Sequence, residues 1–152
     1  MTQFSDAYIE RLDKETEEIL ASEEQGFLNQ SISYFQQHKN EFMYLEAGAF
    51  SELGVDGISF EVDDVFETYE VLLGLKLQKK FQASIKEYLQ TTLQSEEARF
   101  SLMFNGDDGL WDLNFGLNYV EGFKEELTIA EAYQLVYTYL KNLVEAVKSK
   151  QS

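Results

Sequence analysis

Ala98-Arg99-Phe100-Ser101-Leu102-Met103-Phe104-Asn105-Gly106-Asp107-Asp108-Gly109-Leu110-Trp111-Asp112-Leu113-Asn114-Phe115-Gly116-Leu117-Asn118-Tyr119 is the stretch whose reading decides the fold class. Ala98, Phe100, Leu102 and Phe104 alternate with Arg99, Ser101 and Met103. Beyond the glycine-bearing segment, Trp111, Leu113, Phe115, Leu117 and Tyr119 alternate with Asp112, Asn114, Gly116 and Asn118. Successive side chains on a strand point to opposite faces, so this period of two predicts an antiparallel hairpin with one buried face and one wet face. Asn105-Gly106-Asp107-Asp108-Gly109 has the residues of a turn that needs positive φ. A calcium loop of the EF-hand kind would need further ligand spacing and a bidentate glutamate, and the segment has neither.

Toward the C-terminus, Thr128-Ile129-Ala130-Glu131 carries a helix start signal, in which the Thr hydroxyl and the Glu carboxylate satisfy each other's backbone N–H. The helix that follows is amphipathic. Its apolar residues Ile129, Tyr133, Leu135, Val136, Tyr137, Tyr139, Leu140, Leu143, Val144 and Val147 sweep about 200° of the helical wheel, twice the stripe that docking on one surface requires. With Val136, Leu140 and Val144 facing the core, the flank of Leu135 and Tyr139 is left for a second copy, and a homodimer is expected.

Toward the N-terminus, the spacing predicts a helix over roughly Gln78–Leu93. Phe81, Ile85, Tyr88, Leu89 and Thr92 share one side of it, and Lys76, Lys79, Lys80 and Lys86 lie on the other. Tyr69, Val71, Leu73, Leu75 and Leu77 keep a period of two, which reads as a strand handing over to that helix near Leu77. Ile58, Phe60 and Val62 form another strand before the Asp63-Asp64 turn. Phe42-Met43-Tyr44-Leu45 fits either helix or strand. Ser5 to Leu20 reads as a helix opened by Ser5 or Asp6, with Ile9, Leu12, Ile19 and Leu20 apolar. Gly26 breaks it, and Leu28, Ile32, Phe35 and Phe42 mark a second helix, giving an N-terminal helical hairpin. These elements predict a single α+β domain over residues 1–152: two layers, an antiparallel sheet of about four strands packed with helices, the helical hairpin, and the long C-terminal amphipathic helix.

Charge and missing side chains narrow the chemistry. The chain has 28 acidic and 12 basic residues, one histidine, no cysteine and no proline, for a net charge of −16. Nucleic acid and anionic membranes are repelled at long range by such a charge. No run is apolar enough to span a membrane and the N-terminus lacks a secretory pattern, so the expected location is cytoplasmic. Zinc sites built from nitrogen and sulfur ligands are excluded by count. His38, in Gln36-Gln37-His38-Lys39-Asn40, reads as a solvated surface residue.

Carboxylates are the abundant reactive groups. Glu15 and Glu18 stand three apart, and Asp63, Asp64 and Glu67 form a second group, so an enzyme would use them with Mg²⁺ or Mn²⁺ for phosphate chemistry. Glu15-Thr16-Glu17-Glu18 resembles the acidic helices of all-helical nucleotide pyrophosphohydrolases, but the later paired acidic motif of that class is missing. No nucleotide loop or nucleophile elbow is present. Neither catalytic residues, cofactor nor metal ligands are therefore assigned.

From Asn40 through Leu75 every residue is neutral or acidic. That stretch predicts an anionic docking face for a partner with a basic surface, carried by Glu52, Asp56, Asp63, Asp64, Glu67 and Glu70. In composition and approximate element order the chain is similar to type III secretion chaperones and to small bacterial immunity proteins; no motif carries the likeness and no residue is transferred. The expected function is that of a non-enzymatic, acidic protein-binding module, chaperone-like or immunity/inhibitor-like. The alternatives are a carboxylate-and-metal-dependent phosphohydrolase and a small-ligand binding domain with an aromatic pocket.

Overall fold

The computed structural model describes residues 4, 6–93 and 100–149; Ser5, Ala98 and Arg99 lie outside them. In chain order the strands are β1 (Tyr8–Asp13), β2 (Ile19–Glu23), β3 (Glu41–Glu46), β4 (Val55–Val62), β5 (Tyr69–Leu75), β6 (Phe100–Asn105) and β7 (Leu110–Gly116). The helices are α1 (Tyr34–Gln37), α2 (Gly48–Glu52), α3 (Gln82–Thr92) and α4 (Ile129–Ser149). All seven strands form one antiparallel sheet in the order β2-β1-β3-β4-β5-β7-β6.

The β6–β7 hairpin has the alternation read from the sequence: Phe100 faces Phe115, Leu102 faces Leu113 and Phe104 faces Trp111. Its second strand stops earlier than expected, because Leu117–Tyr119 turn into a 3-10 helix. The strand-to-helix handover after β5 also occurs, through a 3-10 turn at Lys79–Phe81.

The four-strand sheet and the N-terminal helical hairpin are overturned. Tyr8–Asp13 and Ile19–Glu23 are paired strands, and Leu28 and Phe35 belong to a 3-10 turn and to the short α1. The physical reason lies in Arg11. It stands on the core-facing side of β1 with Ile9, where its Nε donates to Glu23 (2.6 Å) and its Nη1 to Glu41 (2.9 Å) and to the Tyr34 hydroxyl (3.1 Å). A paired charge at an inward position erases the alternation that would have marked the strand. Glu41, itself buried, does the same to β3. The second predicted helix is cut by backbone pairing with a distant segment: the Ile32 N–H donates to Leu127 O and the Ile129 N–H to Gln30 O. Leu28, Ile32 and Phe35 are nonetheless all buried, which is why their spacing suggested a helix, while Phe42, the fourth residue of that pattern, lies in β3.

One row shows how the core is laid out. Ala21, Arg11, Met43, Phe60, Val71, Phe115 and Phe100 succeed one another across the seven strands on one face. The helices cover that face: the Tyr133 ring of α4 lies 5.8 Å from Phe60, Tyr139 lies 5.2 Å from Phe115, and Phe35 of α1 lies 5.4 Å from Phe60. The α4 start is capped as expected, with the Glu131 N–H on Thr128 Oγ1 (3.1 Å) and the Thr128 N–H on Glu131 Oε1 (2.9 Å).

Most of the wide apolar arc of α4 is covered from within the chain, with Leu135 and Tyr137 left half-buried. Tyr139 is buried, its hydroxyl 2.7 Å from Thr92 Oγ1 of α3 and its ring 5.6 Å from Tyr88. Leu135 packs beside Gly122, where a Cβ would come within 3.2 Å of its Cδ1. Of the two residues assigned to a second copy, Tyr139 is thus buried within the chain and Leu135 is half-buried.

Three hairpins share one turn. In β1–β2, Asp13 Oδ1 accepts the N–H groups of Glu15 and Thr16, and Glu17 has φ 63. In β4–β5, Asp63 Oδ1 accepts from Val65 and Phe66, and Glu67 has φ 58. In β6–β7, Asn105 Oδ1 accepts from Asp107, and Gly109 has φ 69. An Asp or Asn side chain that mimics a backbone acceptor, followed by a left-handed residue closing the loop, is the common device.

Candidate functional site

The turns after β1 and after β4 lie at the same end of the sheet, tied by Lys14. Its Nζ donates to Val62 O (2.7 Å) and to Asp64 Oδ1 (3.3 Å), and stands 3.9 Å from Glu61 Oε2. Lys39 pairs with Glu67, and Gln36 Nε2 donates to Glu67 O (3.1 Å). These contacts hold the β4–β5 turn to α1 and β1, so its tip is fixed in direction.

Val65 and Phe66 form that tip, 78% and 51% exposed. Around them stand Asp63, Asp64, Glu67 and, from the strands beneath, Glu61 and Glu70; the neighbouring turn adds Glu15, Glu17 and Glu18. A groove of about 210 Å³ runs between Asp63, Phe66, Thr68, Glu70 and Tyr119. An exposed aliphatic-aromatic pair set among carboxylates makes an apolar anchor inside a negative field.

Beneath the tip, Glu61 and Glu70 face each other across β4 and β5 on the sheet face away from the helices. Burial pushes the Glu61 carboxyl above its ordinary range; Lys14 opposes this and Glu70 adds to it. Glu70 is raised by burial too, against the Thr68 hydroxyl that donates to it at 2.8 Å. The same face continues across the strands through Ser22, Glu10, Tyr44, Ser59, Leu72, Asn114 and Ser101. Where glycine leaves a gap on it, a neighbour lies over the gap: Tyr44 over Gly57, Asp56 over Gly74, Tyr119 over Gly116.

Of the six carboxylates expected to form one docking face, Asp63, Asp64, Glu67 and Glu70 are brought together at this end. Asp56 stands at the other end of β4, where its Oδ1 accepts the N–H groups of Gly57 (2.7 Å) and Gly74 (3.1 Å) at an irregularity in the β4–β5 register. Glu52 closes α2, also away from the acidic turns. Asn40–Leu75 is therefore not one surface.

His38 caps the C-terminal end of α1, half-exposed and stacked on Tyr34 at 4.0 Å with Nδ1 2.8 Å from Tyr34 O. Glu15 and Glu18 occupy a turn, and the helix-face spacing attributed to them does not exist. Asp107 and Asp108 lie in the β6–β7 turn, where Asn105 Nδ2 donates to Asp108 Oδ2 (3.1 Å). Among the described residues no group of three or more His, Asp or Glu side chains could hold a metal ion, and no helix is long and apolar enough to cross a membrane. Val65 and Phe66 were missed. The signal was available: an apolar pair placed inside Asp63-Asp64-Val65-Phe66-Glu67-Thr68, where a turn would ordinarily be polar throughout.

No protein-family model, curated protein or solved structure matches this chain.

Proposed function

We propose that this protein is a non-enzymatic protein-binding module acting in the cytosol, and that it engages a partner through its acidic end with Val65 and Phe66 as the apolar anchor. The observation that carries this reading is the exposure of those two side chains at a fixed hairpin tip ringed by carboxylates. Apolar anchors at the centre of a charged rim are where interfaces concentrate their affinity, and a negative rim selects a positive one. The fitting partner presents an apolar pocket bordered by Lys and Arg. Long-range attraction to a chain of charge −16 would speed the encounter.

The test begins with capture of binding proteins from cells of the source organism by the intact chain, followed by affinity measurement on the purified captured protein. Serine at both Val65 and Phe66 is expected to weaken binding by at least about tenfold, and added salt to slow association. These side chains are exposed, so the variant should melt like the parent. A captured protein whose affinity is indifferent both to the tip and to salt would overturn the reading.

A further inference from the structure

At the opposite end of the sheet from the acidic turns lies a cleft of about 690 Å³. It is walled by the end of α2 (Ser51, Glu52), the Leu53-Gly54 turn, the segment Lys76–Phe81 that leads into α3, Phe104 and Gly109 of the β6–β7 hairpin, and Lys148 near the end of α4. The wall between α2 and β5 is pinned. The Lys76 N–H donates to Gly54 O (2.8 Å), and Gly54, at φ +88, has Lys76 O only 3.3 Å from where a Cβ would stand.

Lys76, Lys80 and Lys148 line this cleft, and Lys79 stands next to it, its Nζ 5.8 Å from the centre of the Phe104 ring. Lys80 Nζ lies 5.5 Å from the centre of Phe81. Two of the four ammonium groups are thus held over ring faces, which restrains them before anything binds. Among the described residues, Glu52 is the only carboxylate in the lining. Among the described residues, seven of the ten Lys and Arg side chains pair with no carboxylate; four of them are gathered here, and Lys86, Lys124 and Lys141 stand elsewhere. Arg11, Lys14 and Lys39 are each ion-paired, as expected in a chain with 28 acidic residues, yet among the described residues none of these four lysines pairs with a carboxylate. Like charges brought together repel, and an anion between them would relieve that repulsion.

We infer that this cleft is a binding site for a small phosphorylated molecule with an apolar or aromatic body. The lysines supply charge-assisted donors to phosphate oxygens. Leu53, Leu77, Phe81 and Phe104 supply the apolar wall, and the volume falls in the range of small-molecule sites, about 300–1,000 Å³. The site is independent of the acidic tip: it calls for a ligand of the opposite charge, and the two fail separately.

The probes are ADP, inorganic pyrophosphate and a tetraglutamate peptide, titrated at low salt into the intact chain with amide and lysine side-chain NMR as the readout. ADP is expected to bind saturably, with shifts confined to the cleft. Lys80→Gln with Lys148→Gln should weaken it by about tenfold or more, since each removes a charge-assisted contact. Phe81→Leu should weaken ADP severalfold and leave pyrophosphate unchanged. Both lysines are exposed, and unchanged melting of the double variant will separate lost binding from lost fold. Absence of saturable ADP binding up to about 5 mM would overturn the inference. So would equal affinity in the lysine variants, or competition by tetraglutamate as strong as that by ADP, which would make the cleft a sink for acidic polypeptide.

Discussion

Replacing Glu70 with Gln should stabilise the protein at neutral pH, and the gain should vanish in acid. Glu61 and Glu70 stand opposite one another on adjacent strands, each half-buried. Directly opposed like charges on a sheet face cost up to about 1 kcal/mol. Glutamine keeps the shape and still accepts the Thr68 hydroxyl, so the expected gain at pH 7.5 is about 0.5–1 kcal/mol. The sign follows from the raised carboxyls. A folded-state pKa above the unfolded value means that the folded chain binds more protons in the interval between the two. The contribution of these two carboxyls to stability is then fully present below the unfolded value of about 4.3 and is lost as pH rises through the raised one. Below that window the carboxyl is neutral in both states and glutamine offers nothing. Urea denaturation followed by the fluorescence of the sole tryptophan, Trp111, at pH 7.5 and pH 3.5 measures both ends. Glu15→Gln, an exposed turn residue, serves as the control for net charge. A gain that persists at pH 3.5, or one that Glu15→Gln matches, would refute the reasoning.

Two further substitutions probe the fold. Glu17→Gly places the residue suited to φ 63 at the left-handed position of the β1–β2 turn. Relief of about 1–2 kcal/mol of strain, less the added unfolded-state entropy of glycine of about 0.5–1 kcal/mol, leaves a net gain of about 0.5–1 kcal/mol, read from the urea midpoint; a loss would mean that the turn does not hold that conformation. Trp111→Ala empties a site 1% exposed between Phe104, 5.0 Å away, and Leu75 on the neighbouring strand. It should cost about 3–5 kcal/mol, measured by circular dichroism because the fluorophore is gone, and a cost under about 1 kcal/mol would contradict the register of the hairpin.

How much of the fold could be read from the sequence depended on whether one residue type filled one face. From Trp111 to Leu117 every inward residue is apolar, and strand, partner and face all followed from that. The same held for α4, where the capping pair marks the start and a broad apolar arc marks the length. At the N-terminus the inward face of β1 holds Ile9 together with Arg11, and Glu41 faces inward from β3; Arg11 lies between Glu23 and Glu41. The network satisfies its charges by contacts twelve and thirty residues away, and a local window cannot show them. The remaining pattern, Ile9 and Leu12 among Glu and Lys, has the composition of a solvent-exposed helix. Long-range pairing, not local propensity, decided this region.

The candidate site was legible for a related reason and only in part. A run of like charge along the chain makes one surface only if the backbone keeps those residues on one side, and a meander of antiparallel strands does the reverse. Between Asn40 and Leu75 the chain passes through β3, β4 and β5. Glu41 turns inward to Arg11, Glu61 and Glu70 turn to the face away from the helices, and Asp56 is spent on the backbone of a strand irregularity. What survives as a surface is the turn, Asp63 to Glu67, because a tight hairpin projects all its side chains from one end of the sheet. The lysines show the converse. Lys76, Lys80 and Lys148 come from two segments about seventy residues apart in sequence, and they meet only because the end of α4 returns over the β5–α3 connection. The fold thus sorts particular side chains out of a mixed sequence: Asp63, Asp64 and Glu67 surround an apolar tip at one end of the sheet, and Lys76, Lys80 and Lys148 meet around a cleft at the other. A net charge of −16 is an average over two ends that should attract opposite ligands.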